Sequence, residues 1–135
     1  MKYLLDVNVL VAWGWKEHAD HERVAKWLAL ERDKSDSGFL TSPIPELGFV
    51  RVSVQRAAGT IAVKEACTAL DGMLTSLGNT HRFISDDQRG TNLPIWCKGA
   101  ARTTDAHLLA LAKRHGAELA TLDKDSPEAF VVPSG

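Results

Sequence analysis

The sequence predicts an α/β fold, a mostly parallel sheet with helices on both faces. Two observations carry this. Short apolar runs (Tyr3–Leu5, Phe39–Thr41, Arg82–Ile84 and Ala117–Leu122) alternate with longer segments whose apolar residues fall on a helical stripe. The first run also breaks at Asp6, and a second apolar run, Val7–Trp13, leaves it. That reads as buried strand, polar point, buried helix. In open α/β sheets the carboxyl edge, where strands hand over to helices, is where ligands bind.

In order, Tyr3–Leu5 is the first strand and Val7–Trp13 the first helix. Glu17–Asp20 is a polar turn, and His21–Arg32 is an amphipathic helix with Val24, Trp27 and Leu28 on one face. Asp33–Gly38 is loop chemistry, followed by a short strand, Phe39–Thr41. Ser42 with Pro43 and Pro45 signals a helix start. The next stretch conflicts with it: Phe49–Val54 alternates with period two and is β-branched, as strands are. Pattern alone leaves that conflict open. Thr60–Leu77 is a helix with Ala66, Leu70, Met73, Leu74 and Leu77 along one stripe, closed by Gly78. Arg82–Ile84 is the third strand and Gln88–Gly99 is irregular. A helix runs from Thr103 to Arg114, a fourth strand from Ala117 to Leu122, a turn from Asp123 to Asp125, and Phe130–Val132 is an edge strand.

At 135 residues, with 44% apolar and 24% charged side chains, the chain is expected to be one globular domain, 1–135. No run approaches a membrane span and no signal peptide is recognisable, so the expected location is the cytoplasm. Cys67 and Cys97 make no zinc pattern and are expected as free thiols. The net charge of −1 argues against a pure nucleic-acid-binding module, which would carry a basic excess.

Four carboxylates share one kind of address. Asp6 follows the first strand, Glu46 lies in the first turn of the helix after the second, Asp105 opens the helix at Thr103, and Asp123 follows the fourth strand. In a parallel sheet these positions meet at one edge. Clustered carboxylates repel one another unless a cation neutralises them. A hard divalent ion such as Mg²⁺ takes oxygen ligands and stabilises charge on a phosphoryl oxygen. The plainer alternative is that Asp6 and Asp105 favour helix N-termini and that Asp123 and Asp125 form a turn. Asp6 resists that alternative best, because a carboxylate between two buried runs costs solvation.

These segments resemble the four acidic motifs of PIN-domain ribonucleases. They are Leu5–Leu10, Pro45–Arg51, Thr104–Ala110 and Ala120–Asp125, in order and across nearly the whole chain. The nearest likeness is to VapC-type toxins of bacterial toxin–antitoxin pairs. The resemblance implies a three-layer α/β/α sandwich with a sheet of four to five strands, and a helix through Phe49–Val54. It implies Asp6, Glu46, Asp105 and Asp123 as catalytic acids, with Asp6, Asp105 and Asp123 as metal ligands. Asn8 and Thr121 would support the metal site, and Asp125 would assist or replace Asp123. The cofactor would be Mg²⁺, with Mn²⁺ as a substitute, and the reaction endonucleolytic hydrolysis of RNA by a metal-activated water. The partners would be RNA, a cognate antitoxin and a second copy of the chain.

Arg51, Arg56, Arg89, Lys98 and Arg102 are candidates for phosphate contact, and Trp96 for base stacking, although packing suits Trp96 better. His18, His21 and His107 are expected at the surface, and Asp86–Asp87 in a loop role. Two other functions compete: a phosphoryl-transfer α/β hydrolase, and a catalytically silent RNA- or antitoxin-binding domain. The first would want a second Asp at the position held by Asn8. The presence of all four acids counts against the second.

Overall fold

The computed structural model describes residues 1–134. Ten elements follow in chain order: β1 (Lys2–Leu5), α1 (Val7–Gly14), α2 (His21–Arg32), β2 (Gly38–Thr41), α3 (Pro43–Arg56), α4 (Val63–Ser76), β3 (His81–Phe83), α5 (Thr103–Arg114), β4 (Glu118–Thr121) and β5 (Phe130–Val131). The strands form one sheet in the order β3-β2-β1-β4-β5, with every pair parallel. From β1 the chain moves outward to β2 and β3, then returns to β4 on the other flank of β1. The order therefore reverses between β1 and β4, the place where such sheets open a crevice at their carboxyl edge.

The strands are apolar because both faces are covered. Side chains alternate across the sheet. Tyr3, Leu5 and Phe39 enter one core with Val9, Leu10, Trp27, Phe49, Leu70 and Leu74 from α1–α4. Leu4, Leu40 and Leu119 enter the other, against Leu108, Leu109 and Leu111 of α5. This is the expected three-layer α/β/α sandwich. Fully buried leucines such as Leu5, Leu10 and Leu108 each contribute about 2 kcal/mol through apolar burial.

The open conflict resolves in favour of the helix. Phe49–Val54 belongs to α3, as the family resemblance implies. Its buried residues, Pro45, Gly48, Phe49 and Ser53, recur at helical spacing. Pro43 occupies the first turn as predicted, but the buried Ser42 hydroxyl makes no hydrogen bond among the described residues. Helix α4 begins at Val63 rather than Thr60. Ala58 and Gly59 take positive φ angles of 50° and 84°, Thr60 bonds back to the Ala57 carbonyl, and the Glu65 carboxylate accepts from the Ala62 N–H at the true start. Trp96 packs on the α5 core, as favoured above. Cys67 and Cys97 are free. Among the described residues, no helix is long and apolar enough to cross a membrane.

Candidate active site

Asp6 sits where β1 ends. Its backbone N–H continues the ladder to the Ala120 carbonyl at 3.0 Å, and its Oδ1 caps α1 by accepting from the Val7 N–H at 2.8 Å. Its Oδ2 accepts from the Thr121 hydroxyl at 2.9 Å. Thr121, the last residue of β4, is fully buried and also receives a bond from Asn8 Nδ2 at 3.1 Å. The Asn8 carbonyl oxygen in turn accepts from the Leu122 N–H at 3.1 Å. Asn8 and Thr121 thus stitch the ends of β1 and β4 together around Asp6.

Only 5% of Asp6 is exposed. Burial pushes its carboxyl up to about 6; the bonds from Thr121 and Val7 pull it down, while the Asp105 and Asp123 charges push it further up. Asp105 is also raised above the usual carboxylate range, first by burial and then by Asp123, with Arg102 opposing. Nη1 of Arg102 lies 2.8 Å from Asp123 Oδ2 and 3.5 Å from Asp105 Oδ2. One guanidinium nitrogen thus serves two of the expected acids.

Asp6 and Asp105 line an open cleft of about 430 Å³ with Asn8, His18, Arg51 and Arg56. His18, expected as solvated surface, faces this cleft and accepts from the Asp20 N–H. Nothing in the sequence links it to an acid twelve residues earlier. Arg56 lies over the Trp15 ring, 5.3 Å from its centre, and pairs with Glu17. Arg89 and Lys98 are exposed and do not line the cleft. Asp125 contributes its backbone N–H to Asp123 Oδ1 at 2.9 Å, while its own side chain is exposed.

Glu46 stands apart. Its Oε2 accepts from the Thr41 hydroxyl at 2.6 Å, and it lines a neighbouring pocket with Asp71 and His81. Asp6, Asp105 and Asp123 feel one another's charge, whereas Glu46 is turned toward β2 and β3. His107 is a correction to the surface role expected of it. It is 8% exposed, and its Nε2 lies 2.6 Å from the Asp86 carboxylate. Asp86 is therefore a buried partner of α5 rather than a loop residue alone.

The donors available are hard carboxylate oxygens, with one arginine against an excess of acid, and this suits a hard divalent cation. Among the described residues, no three Asp, Glu, His or Cys groups are already drawn together as a closed ligand set. A cation would have to displace Arg102 to hold Asp105 and Asp123 together.

A parallel α/β/α domain with Asp6, Asp105 and Asp123 gathered where its strand order reverses defines the class of α/β folds that bind ligands at the carboxyl edge of the sheet. The chain belongs to the PIN domain family, whose model matches residues 3–130. It is 36% identical to "Ribonuclease VapC39" of Mycobacterium tuberculosis over 98% of both chains. It is 39% identical to "Ribonuclease VapC38" of the same organism, over 89% of this chain and 84% of that one. Its fold is similar to a chain in the crystal structure of VapBC2 from Rickettsia felis bound to a promoter DNA fragment, with a TM-score of 0.59, 17% identity and 96% of each chain covered.

Proposed function

We propose that this chain is a metal-dependent endoribonuclease, the toxin of a toxin–antitoxin pair, hydrolysing RNA phosphodiester bonds with Mg²⁺, or Mn²⁺ in its place. Membership of the PIN family and the ribonuclease relatives support the reaction class. The observation that carries the reading is the Asp6–Asp105 cleft, where burial and mutual repulsion leave the acids in need of a cation.

Asp6, Asp105 and Asp123 would hold the ion, which when bound supplies Lewis-acid stabilisation of a phosphoryl oxygen and an acidified water. Thr121 and the Val7 N–H fix both oxygens of Asp6, so its orientation costs nothing at the moment of reaction. Asn8 holds Thr121 in place. Arg51, on the cleft wall, takes a phosphate of the RNA backbone. Arg102 is the group that would have to give way, since its present partners are the acids that would bind the ion. A cognate antitoxin and a second copy of the chain are the proposed protein partners. Ile44 and Leu47, exposed on α3 within two turns of Arg51, give such a partner apolar surface to cover.

The test is the purified, partner-free chain incubated with cellular RNA. EDTA-sensitive cleavage leaving 5′-phosphate and 3′-hydroxyl ends is expected, and its loss in Asp6→Asn. Cleavage indifferent to EDTA, or 2′,3′-cyclic phosphate ends, rejects the reading.

A further inference from the structure

The turned-away carboxylate of Glu46 is held by a specific arrangement. Thr41 is the last residue of β2 and fully buried, and its Oγ1 lies 2.6 Å from Glu46 Oε2 and 2.7 Å from His81 Nε2. A hydroxyl has one proton to give. The Glu46 carboxylate has none, so Thr41 donates to it. Thr41 must then accept from His81, which requires a proton on His81 Nε2. The order is set: His81 N–H to Thr41, Thr41 O–H to Glu46. Parallel register brings the pieces together, since β2 and β3 pair Phe39 with His81 and Thr41 with Phe83, which puts Thr41 and His81 on one face of the sheet. Burial lowers the His81 pKa while the Glu46 charge opposes it, so the ring stands next to that carboxylate electrostatically as well.

We propose that Thr41 and His81 are positioning residues for Glu46, anchoring one carboxylate oxygen and leaving the other free for the reaction. Oε1 of Glu46 has no protein partner among the described residues. Glu46 borders an open pocket of about 510 Å³ with Asp71, Thr75 and Phe83. The α3 backbone meanwhile runs close to the first turn of α1, because Gly48 lies against Val7, the neighbour of Asp6. Glu46 thus lies a half-turn before this contact, and its carboxylate is directed by its anchor. Without the anchor the side chain is free to choose among rotamers, and the fraction that presents Oε1 to this pocket falls. The catalytic part of this inference rests on the ribonuclease reading; the anchor does not.

The experiment pairs NMR with kinetics. Long-range ¹H–¹⁵N spectra at pH 8 should find the His81 ring fixed in its Nε2–H tautomer in the wild-type chain. Thr41→Val and Glu46→Leu, which removes the acceptor altogether, should each release it into a mixture. In RNA cleavage, Thr41→Val and His81→Leu should lower kcat about tenfold with KM within about twofold. Thr41→Ser should restore it, and neither change should cost anything further in a Glu46→Gln background. Losses that add to that of Glu46→Gln overturn the positioning role, as does failure of Thr41→Ser to rescue. Should the wild-type chain cleave no RNA, the ribonuclease reading fails by itself. A locked His81 ring released by Glu46→Leu then still upholds the anchor, and an unlocked ring overturns it.

Discussion

Thr121 donates its hydroxyl proton to Asp6 across 2.9 Å, although 115 residues separate the two in the chain. The same oxygen accepts from Asn8 Nδ2 at 3.1 Å and from the Asp123 N–H at 3.2 Å. One buried hydroxyl thus uses its proton and both lone pairs to tie β1, α1 and the turn after β4 into a single polar joint. Thr121→Val keeps the shape and removes all three bonds. It should cost about 1–3 kcal/mol of stability, the usual penalty for stranding buried polar groups. It should also weaken Mn²⁺ binding measured by calorimetry, while Thr121→Ser stays near wild type. Unchanged binding in the valine variant would remove Thr121 from the site.

Asp6 makes the opposite trade between stability and function. Its folded pKa of about 6 lies above the ordinary 3.8. The folded state therefore binds more protons than the unfolded chain between those values, and stability falls as pH rises through that window. Without metal, ionised Asp6 costs on the order of 3 kcal/mol at neutral pH. Asp6→Asn keeps an N-cap side chain and removes the charge. It should raise the melting temperature of the metal-free protein at pH 8, change it little at pH 4, and abolish cleavage. A variant less stable than wild type at pH 8 would contradict the buried-charge account.

Much of this joint was legible in the sequence, because each half is local. A strand, an acid and a helix follow one another at Leu5–Val7, and a strand runs into Asp123 at the other end. Parallel topology then brings the two ends together. The direction in which a side chain turns was not legible. Glu46 occupies the expected helical turn, yet a threonine five residues earlier and a histidine on the next strand orient it. The Asp86–His107 contact escaped for the same reason, since 21 residues separate a loop acid from a helix histidine. In α3, Val50, Val52 and Val54 mimic a strand because β-branched residues at half-buried helix positions satisfy period two by accident. Packing of Gly48, Phe49 and Ser53 overrides that propensity.

Arg102 supplies a test of where the cation goes. Its Nη1 contacts both Asp105 and Asp123, so a divalent ion binding there competes with it. Arg102→Gln should bind Mn²⁺ several-fold more tightly in calorimetry, because no guanidinium must be displaced. About a third of the Arg102 side chain is exposed, so the change to the metal-free fold should be small, within about 1 kcal/mol. Weaker Mn²⁺ binding would instead make Arg102 a support for the acids.

Asp86 and His107 stabilise the fold on the α5 side. Burial alone would raise the Asp86 pKa, but the bonds from His107 and the Gln88 N–H overrule it, and the carboxyl ends below its usual range. A depressed folded pKa contributes stability above the unfolded value, and this is lost as pH falls through the folded one. Asp86→Asn should therefore cost about 1–3 kcal/mol at pH 7, and the gap should close in denaturant titrations below about pH 4. A gap independent of pH would mean that lost packing, not lost charge, is responsible.

Gly48 sets the distance between α3 and the Asp6 cap. A Cβ at position 48 would come within 2.5 Å of Val7 Cγ2, closer than packed carbons approach. Valine is stiff at χ1, so Val7 cannot turn aside. Its N–H is also the donor that caps Asp6 Oδ1, so pushing it moves the acid. Gly48→Ala should cost about 1–3 kcal/mol through overpacking. It should also lower kcat in RNA cleavage, because α3 carries Arg51 on the cleft wall and Glu46 one half-turn before the clash. Val7→Ala makes room for the new methyl without touching the backbone donor. The pair Val7→Ala with Gly48→Ala should then recover both stability and rate relative to Gly48→Ala alone. Recovery of stability without rate would separate the helix spacing from the chemistry of Asp6.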